Sequence, residues 1–193
     1  MTTANKVKFN LKNCHYAKMT ETVDSTTGKT TYAWETPKAW PGAVSLKLDP
    51  QGELYKFFAD GRKYYSTTTN QGYEGDFESA LVPEDFDQNI LGHTLDANKV
   101  ELENANVEPG HFAFMFQFDG DAKATRYVLY DCILTRPTLE GNTVEEKMKV
   151  DTQKTTLSAA PLENGDVCQK TNSETLAAAY DAWYDAVYQT KAA

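Results

Sequence analysis

His111-Phe112-Ala113-Phe114-Met115-Phe116-Gln117-Phe118 sets four phenylalanines on alternate positions. Successive side chains of a strand point to opposite faces, so the four rings share one face. Each ring carries about 150–250 Å² of surface, which places the stripe in a core or an interface. Asp119-Gly120-Asp121 follows as a hairpin turn, and Arg126 to Thr135 returns as the partner strand. An antiparallel β protein is the expectation.

The same period runs upstream. Val44, Leu46 and Leu48 alternate with Ser45, Lys47 and Asp49, and Asp49-Pro50-Gln51-Gly52 supplies a turn. A strand from Glu53 to about Ala59 meets a tight Asp60-Gly61 turn and a partner at Lys63 to Thr69, which Asn70-Gln71-Gly72 breaks. Beyond it, Tyr73, Phe77 and Leu81 share a face with Gly75 and Ser79, while Glu74, Asp76 and Glu78 share the other. Burying such carboxylates without partners costs several kcal/mol each, so the acidic face looks at solvent or a water-filled space.

Pro83 opens a short helix over Glu84 to about Leu91, with Gly92 as its stop. Leu95 to Asn98 leads into Val100 to Glu103, and a polar loop covers Asn104 to Gly110. Val144 to about Leu157 reads as a weakly amphipathic strand, suited to a sheet edge or a subunit contact. The last segment changes period: Leu176, Ala179 or Tyr180, Trp183 and Val187 recur at helical spacing. Thr171 with Glu174 is a capping-box pattern, predicting a helix at about 172–189. Its Tyr180, Trp183, Tyr184 and Tyr188 exceed what one thin stripe buries. Packing on the chain's own domain is the plain reading, and contact with a neighbouring subunit is the alternative. Met19 to Trp40 is polar and Thr-rich without sustained periodicity, although Glu21 to Tyr32 fits a hairpin around Thr26-Thr27-Gly28. A stretch of that length reads as a functional arm on a single domain spanning 1–193.

Chemistry is sparse. Lys and Arg number 19 against 28 Asp and Glu, a net charge of -9 that disfavours phosphate backbones. No positively charged start precedes an apolar run, and no apolar stretch is long enough to span a bilayer. A soluble, intracellular chain is expected. Cys14, Cys132 and Cys168 are widely spaced, with no C-x-x-C pair, and read as reduced, partly buried thiols. Cys14 and His15, adjacent on a strand, point to opposite faces. None of His15, His93 and His111 has a second His or a carboxylate at a spacing that builds a metal site. No nucleophile elbow, Walker loop or dinucleotide fingerprint is present. Asp119 and Asp121 lack the rest of a calcium loop and are turn residues. Glu74, Asp76 and Glu78 have a spacing that overlaps an inverting glycosidase pair, but a solvated acidic face is the plainer reading. Neither an enzyme nor a cofactor is expected.

The order of these pieces resembles the phi13-type major tail proteins of long-tailed bacteriophages. The matching segments are Val7-Lys8-Phe9, Asn13-Cys14-His15-Tyr16-Ala17, Pro41-Gly42-Ala43-Val44-Ser45-Leu46-Lys47-Leu48 and Phe58-Ala59-Asp60. They continue with Asn70-Gln71-Gly72-Tyr73-Glu74-Gly75-Asp76-Phe77-Glu78, Leu91-Gly92, Phe112-Ala113-Phe114, and Arg126 through Tyr130 to Cys132. The likeness covers roughly Asn5 to Asp166. Asn10 departs from it, standing where the family pattern has a glycine, and the Asn104 to His111 loop is long.

The resemblance implies a β-sandwich or barrel-like core with a flanking helix, assembled into hexameric rings that stack into a hollow tube for genome delivery. It implies a virion-tail location after synthesis in the host cytoplasm. The implied partners are further copies of the chain and the phage's tape measure, tail-terminator and tail-tip proteins, with DNA passing through without specific binding. Glu74, Asp76 and Glu78 then become candidates for the lumen face. Tyr32, Trp34, Trp40, Tyr180, Trp183 and Tyr184 become candidates for contacts between subunits or rings. The rival readings are a tail-tip or head–tail connector ring, the inner tube of a contractile particle, and a carbohydrate-binding β-sandwich.

Overall fold

The computed structural model describes residues 4–143 and 150–190. Its first strands are β1 (Lys8–Val23), β2 (Thr30–Trp34), β3 (Lys38–Trp40), β4 (Ala43–Pro50), β5 (Leu54–Ala59), β6 (Arg62–Thr68) and β7 (Tyr73–Ser79). Helix α1 (Glu84–Asn89) precedes β8 (Thr94–Leu95), β9 (Glu101–Leu102), β10 (Phe112–Gly120), β11 (Thr125–Leu134), β12 (Gln153–Ala160) and β13 (Cys168–Lys170). Helix α2 (Ala177–Asp181) then runs into a 3-10 turn at Ala182–Tyr184. One antiparallel sheet has the order β2-β1-β10-β11-β12-β7-β4, with β3 added to β1 and β13 to β11. This is the mainly-β, sandwich-like class that the alternating strands predict.

The phenylalanine strand sits at the centre. Phe112, Phe114 and Phe116 face a core with Tyr16, Trp40, Phe77, Phe86, Leu129 and Leu157. Trp40 lies 4.6 Å from Phe86 and 5.1 Å from Phe77 between ring centroids, within the range of favourable aromatic pairs. On the opposite face, Ala113 and Met115 join Val128, Tyr130, Trp183 and Val187 in a second core. β10 is therefore covered on both sides, one by α1 and the far strands, the other by the C-terminal segment.

Several elements differ from the sequence expectation. Met19 to Trp40 is not an arm: it holds the end of β1 and all of β2 and β3. The hairpin pairs Val23 with Thr30 and Glu21 with Tyr32, and Asp24 closes its turn by accepting from Thr26 N (2.7 Å) and Thr27 N (3.0 Å). The alternation of β1 is hidden by register shifts between Phe9 and Leu11 and between Lys12 and His15. Asn10 (φ 54) and Asn13 (φ 52) are left-handed there. Asn is the side chain that most readily takes a glycine's place in that conformation, which accounts for Asn10. In β4 a bulge between Ala43 and Ser45 turns Val44 outward, so Ala43, Leu46 and Leu48 face the core instead. Leu81 lies past the end of β7 and is exposed, and Val82 is buried in its place.

The C-terminal helix is far shorter than 172–189. Thr171 Oγ1, read as the capping side chain, instead accepts from Arg126 N of β11 at 2.9 Å. Asn172 closes a separate turn, accepting from Glu174 N at 2.8 Å. After the 3-10 turn the chain brings Val187 and Tyr188 onto the sheet, where Tyr188 stacks on Trp183 at 5.3 Å. In the expected Val144 to Leu157 strand, 144–149 lie outside the described residues, and the strand seen is β12.

Candidate self-assembly surface

β5 and β6 form a two-stranded ribbon outside the main sheet. Its tip is Asp60-Gly61, both at positive φ (51 and 71), the backbone that a twisted two-residue hairpin turn requires. Its base continues the β4–β7 ladder through Gln51 N to Gly72 O (2.9 Å) and Gln71 N to Gln51 O (2.9 Å). Gly72 has φ 95, and a Cβ there would meet Ala159 O at 1.9 Å, so only glycine lets β12 pass this close.

Every residue of the ribbon from Leu54 to Thr68 is exposed except Ala59. Leu54, Tyr55, Phe57, Phe58, Tyr64 and Tyr65 stand on both of its faces, with Phe58 63% and Tyr64 65% exposed. A register shift between Phe57 and Phe58 places Tyr64 as the extra residue, packed edge-on against Phe57 at 6.4 Å. A lone two-stranded ribbon is marginal in water, and clustered exposed aromatics mark interaction sites. Lys56, Arg62 and Lys63 set three cations against Asp60 on a chain whose net charge is -9. A basic, aromatic ribbon on an acidic molecule is complementary to the rest of its own surface. The main sheet adds a second feature: among the described residues β4 makes a strand ladder with β7 alone, and β1 approaches its other side without pairing, so its outer edge can take another strand.

The acidic strand face lies beside the ribbon's base. Glu74 is opposite Asp49 and Ser158, Asp76 opposite Lys47 and Thr156, and Glu78 opposite Ser45 and Lys154. Glu74 and Asp76 are exposed, and Glu78 is half-buried. Hydrogen bonds from Thr152 and, at 3.2 Å, from Ser45 hold the Glu78 carboxyl below the usual glutamate range. Lys47 pairs with Asp49 at 2.9 Å, so the face is a mixed-charge surface with an acidic excess rather than a bare carboxylate row.

The six aromatics expected at contacts are all engaged within the chain. Trp40 (2% exposed) and Trp183 (3%) are core residues, which removes both as contact candidates and, for Trp183, agrees with the plain reading of packing on its own domain. Trp34 Nε1 donates to Tyr130 O at 3.1 Å, and Tyr32 Oη accepts from Glu163 N at 3.2 Å. Tyr180 Oη donates to Ala124 O at 3.0 Å, with Lys123 and Arg126 over its ring. Tyr184 stacks on His15 at 4.4 Å. The ribbon carries the exposed aromatics instead, and its signal is in the sequence: Phe57-Phe58 and Tyr64-Tyr65 put large apolar groups on both parities of short strands.

Nucleophile chemistry finds no support in the thiols. Burial pushes Cys14 up to about 12 and Cys168 up to about 11, and Cys14 lies in the core while His15 faces the C-terminal segment. Asp119, still within β10, pairs across to Lys12 of β1 at 2.7 Å, and Asp121, just past β10, accepts from Lys6 N at 2.8 Å. The histidines depart from expectation. His111 pairs with Asp131, and His93 meets both Asp87 and Glu101, carboxylates that no local spacing connects to it. Among the described residues no helix is long and apolar enough to cross a membrane. No protein-family model matches the chain, and no curated protein matches it either.

Proposed function

We propose that the chain is a structural, non-enzymatic subunit that works by binding copies of itself, in the manner of a phage tail-tube protein. The observation that carries this reading is the β5–β6 ribbon, with six large apolar side chains that its own chain leaves uncovered. The open edge of β4 supports it, since an edge strand can continue a sheet from one subunit into the next. The ordered likeness to phi13-type major tail proteins supplies the assembly: hexameric rings stacked into a tube, in the virion tail, after synthesis in the host cytoplasm. Tape measure, terminator and tip proteins are the further partners. Glu74, Asp76 and Glu78 face the lumen in this reading, where carboxylates let DNA slide past without a grip.

Concentrated protein examined by sedimentation and negative-stain microscopy tests it, with rings or tubes of six-fold end view as the expected result. A chain that stays monomeric and binds glycans on an array overturns it in favour of a carbohydrate-binding module. A ring reconstruction with Glu74, Asp76 and Glu78 on the outer wall removes the lumen assignment alone.

A further inference from the structure

We propose that Asp87, His93 and Glu101 form a site for one divalent transition-metal ion, with zinc the best match, that clips the 93–109 excursion to α1. One ligand atom from each of the three residues lies within 4.8 Å of the other two. The chain builds this convergence in three steps. Asp87 lies on α1, and Gly92 (φ 75) reverses the chain just beyond it. His93 N then donates to Asp87 O at 3.0 Å, which sets the imidazole over the helix end. The β8–β9 hairpin finally pairs Leu95 with Glu101, returning a second carboxylate to His93.

The separations suit ligands of one ion better than hydrogen-bond partners. His93 Nδ1 is 3.5 Å from Glu101 Oε1, long for a charge-assisted hydrogen bond. Two ligand atoms each about 2.1 Å from a tetrahedral zinc stand about 3.4 Å apart. Asp87 Oδ1 is buried and has no hydrogen-bond partner among the described residues, a state that costs free energy until something binds it. Among the described residues Arg136 pairs with Glu103 at 2.7 Å and Lys38 with Asp85 at 3.2 Å.

The donor set chooses the ion. One imidazole nitrogen with two carboxylates suits zinc and its first-row neighbours, whereas calcium and magnesium take nearly all-oxygen shells of six or more. The fourth position falls to water. The clip also answers a structural need. Residues 94–109 are all exposed, and a bond from Gly110 N to Ile90 O (2.7 Å) holds the far end. An ion on Glu101 would fasten the middle of this excursion to the body.

The test is calorimetric titration of zinc into the chelator-treated full-length chain, with cobalt absorption reporting the coordination. One zinc per chain is expected, together with slower proteolysis between 94 and 109. Glu101→Gln lies on an exposed two-residue strand, so it removes a ligand without endangering the core. It and His93→Gln should each weaken binding at least about tenfold, the scale that even changes behind the ligands produce. Each should also abolish the zinc protection of the loop. His15→Gln and His111→Gln should change neither. Absence of saturable zinc binding overturns the proposal and leaves His93 as an ion-pair bridge between two carboxylates. Binding that follows His15 or His111, or that survives Glu101→Gln and His93→Gln, overturns it equally.

Discussion

The β10–β11 pair and the β5–β6 ribbon are both antiparallel hairpins rich in aromatic side chains, yet Phe114 is 0% exposed and Phe58 63%. Both carry apolar residues on both faces. In β10 each face has a cover: Trp40, Phe77 and Phe86 lie over the phenylalanines, and Trp183 and Val187 over Ala113 and Met115. Among the described residues the ribbon has neither, because the chain enters and leaves it through β4 and β7 and no other described strand pairs with it. Aromatic content therefore does not decide burial; the availability of a second layer does. Where one chain cannot supply that layer, another copy can.

The comparison breaks most visibly at its two ends. Phe114→Ala should cost about 3–5 kcal/mol, the usual range for emptying a buried aromatic site. Phe58→Ala should move monomer stability by no more than about 0.5 kcal/mol. Denaturant midpoints at a concentration where the chain is monomeric measure both. If Phe58→Ala proves as costly as Phe114→Ala, the ribbon folds back onto its own chain in solution, and the contrast disappears.

The reverse pattern is expected for association. The pair Phe58→Glu and Tyr64→Glu places charge where a second copy would close under the proposed self-assembly, and each anchor is expected to act as a hot spot worth about 2 kcal/mol or more. That corresponds to roughly 30-fold or more in the association constant per site, read by sedimentation equilibrium. Unchanged association with both substitutions in place would move the contact to the β4 edge. A finer probe is charge. Arg62→Glu with Lys63→Glu should slow association at low salt by about tenfold and have little effect near 1 M, where the screening length is about 3 Å. An equal effect at both ionic strengths means that these side chains pack rather than steer.

Reading the sequence worked where period and cover coincide. The stripe Phe112 to Phe118, the Asp60-Gly61 turn, the start of α1 and the wet parity of Glu74, Asp76 and Glu78 all follow from side-chain spacing. It failed where one local event changes parity: Asn10 and Asn13 in β1 and the bulge at Val44 each shift the pattern by a residue. Thr171 was legible as a capping residue only if its hydroxyl had no other partner, and Arg126 N, far away in sequence, takes it. Trp40 looked available because its own segment is polar and Trp183 because its segment carries more aromatics than one helical stripe buries, while most of the groups that bury them come from distant strands. The ribbon's exposure belongs to the same class, since it depends on which segments arrive from elsewhere, which periodicity does not encode. Asp87, His93 and Glu101 meet for a different reason, the local reversal at Gly92 and the register of the β8–β9 hairpin, which residue spacing alone does not give.

The smallest expected effect lies on β7, which continues the second ribbon strand into the main sheet and so joins the two regions. Glu78 is the one acidic-face residue tied by hydrogen bonds from neighbouring hydroxyls, chiefly Thr152 and then Ser45. These bonds favour the ionised carboxylate, so its folded-state pKa falls below the ordinary 4.5. The stabilisation is then fully present above the unfolded value and is lost as pH falls through the lower folded value. Glu78→Gln should accordingly lower Tm slightly at pH 7 and narrow its gap from the wild type as pH drops below about 4.5. Thr152→Val should reproduce part of that profile, because Thr152 supplies the largest share of the shift. A gap that widens on acidification would mean that Glu78 is held by repulsion from its acidic neighbours. The face would then repel any acidic surface brought against it, which is the property asked of a wall past which a phosphate backbone slides.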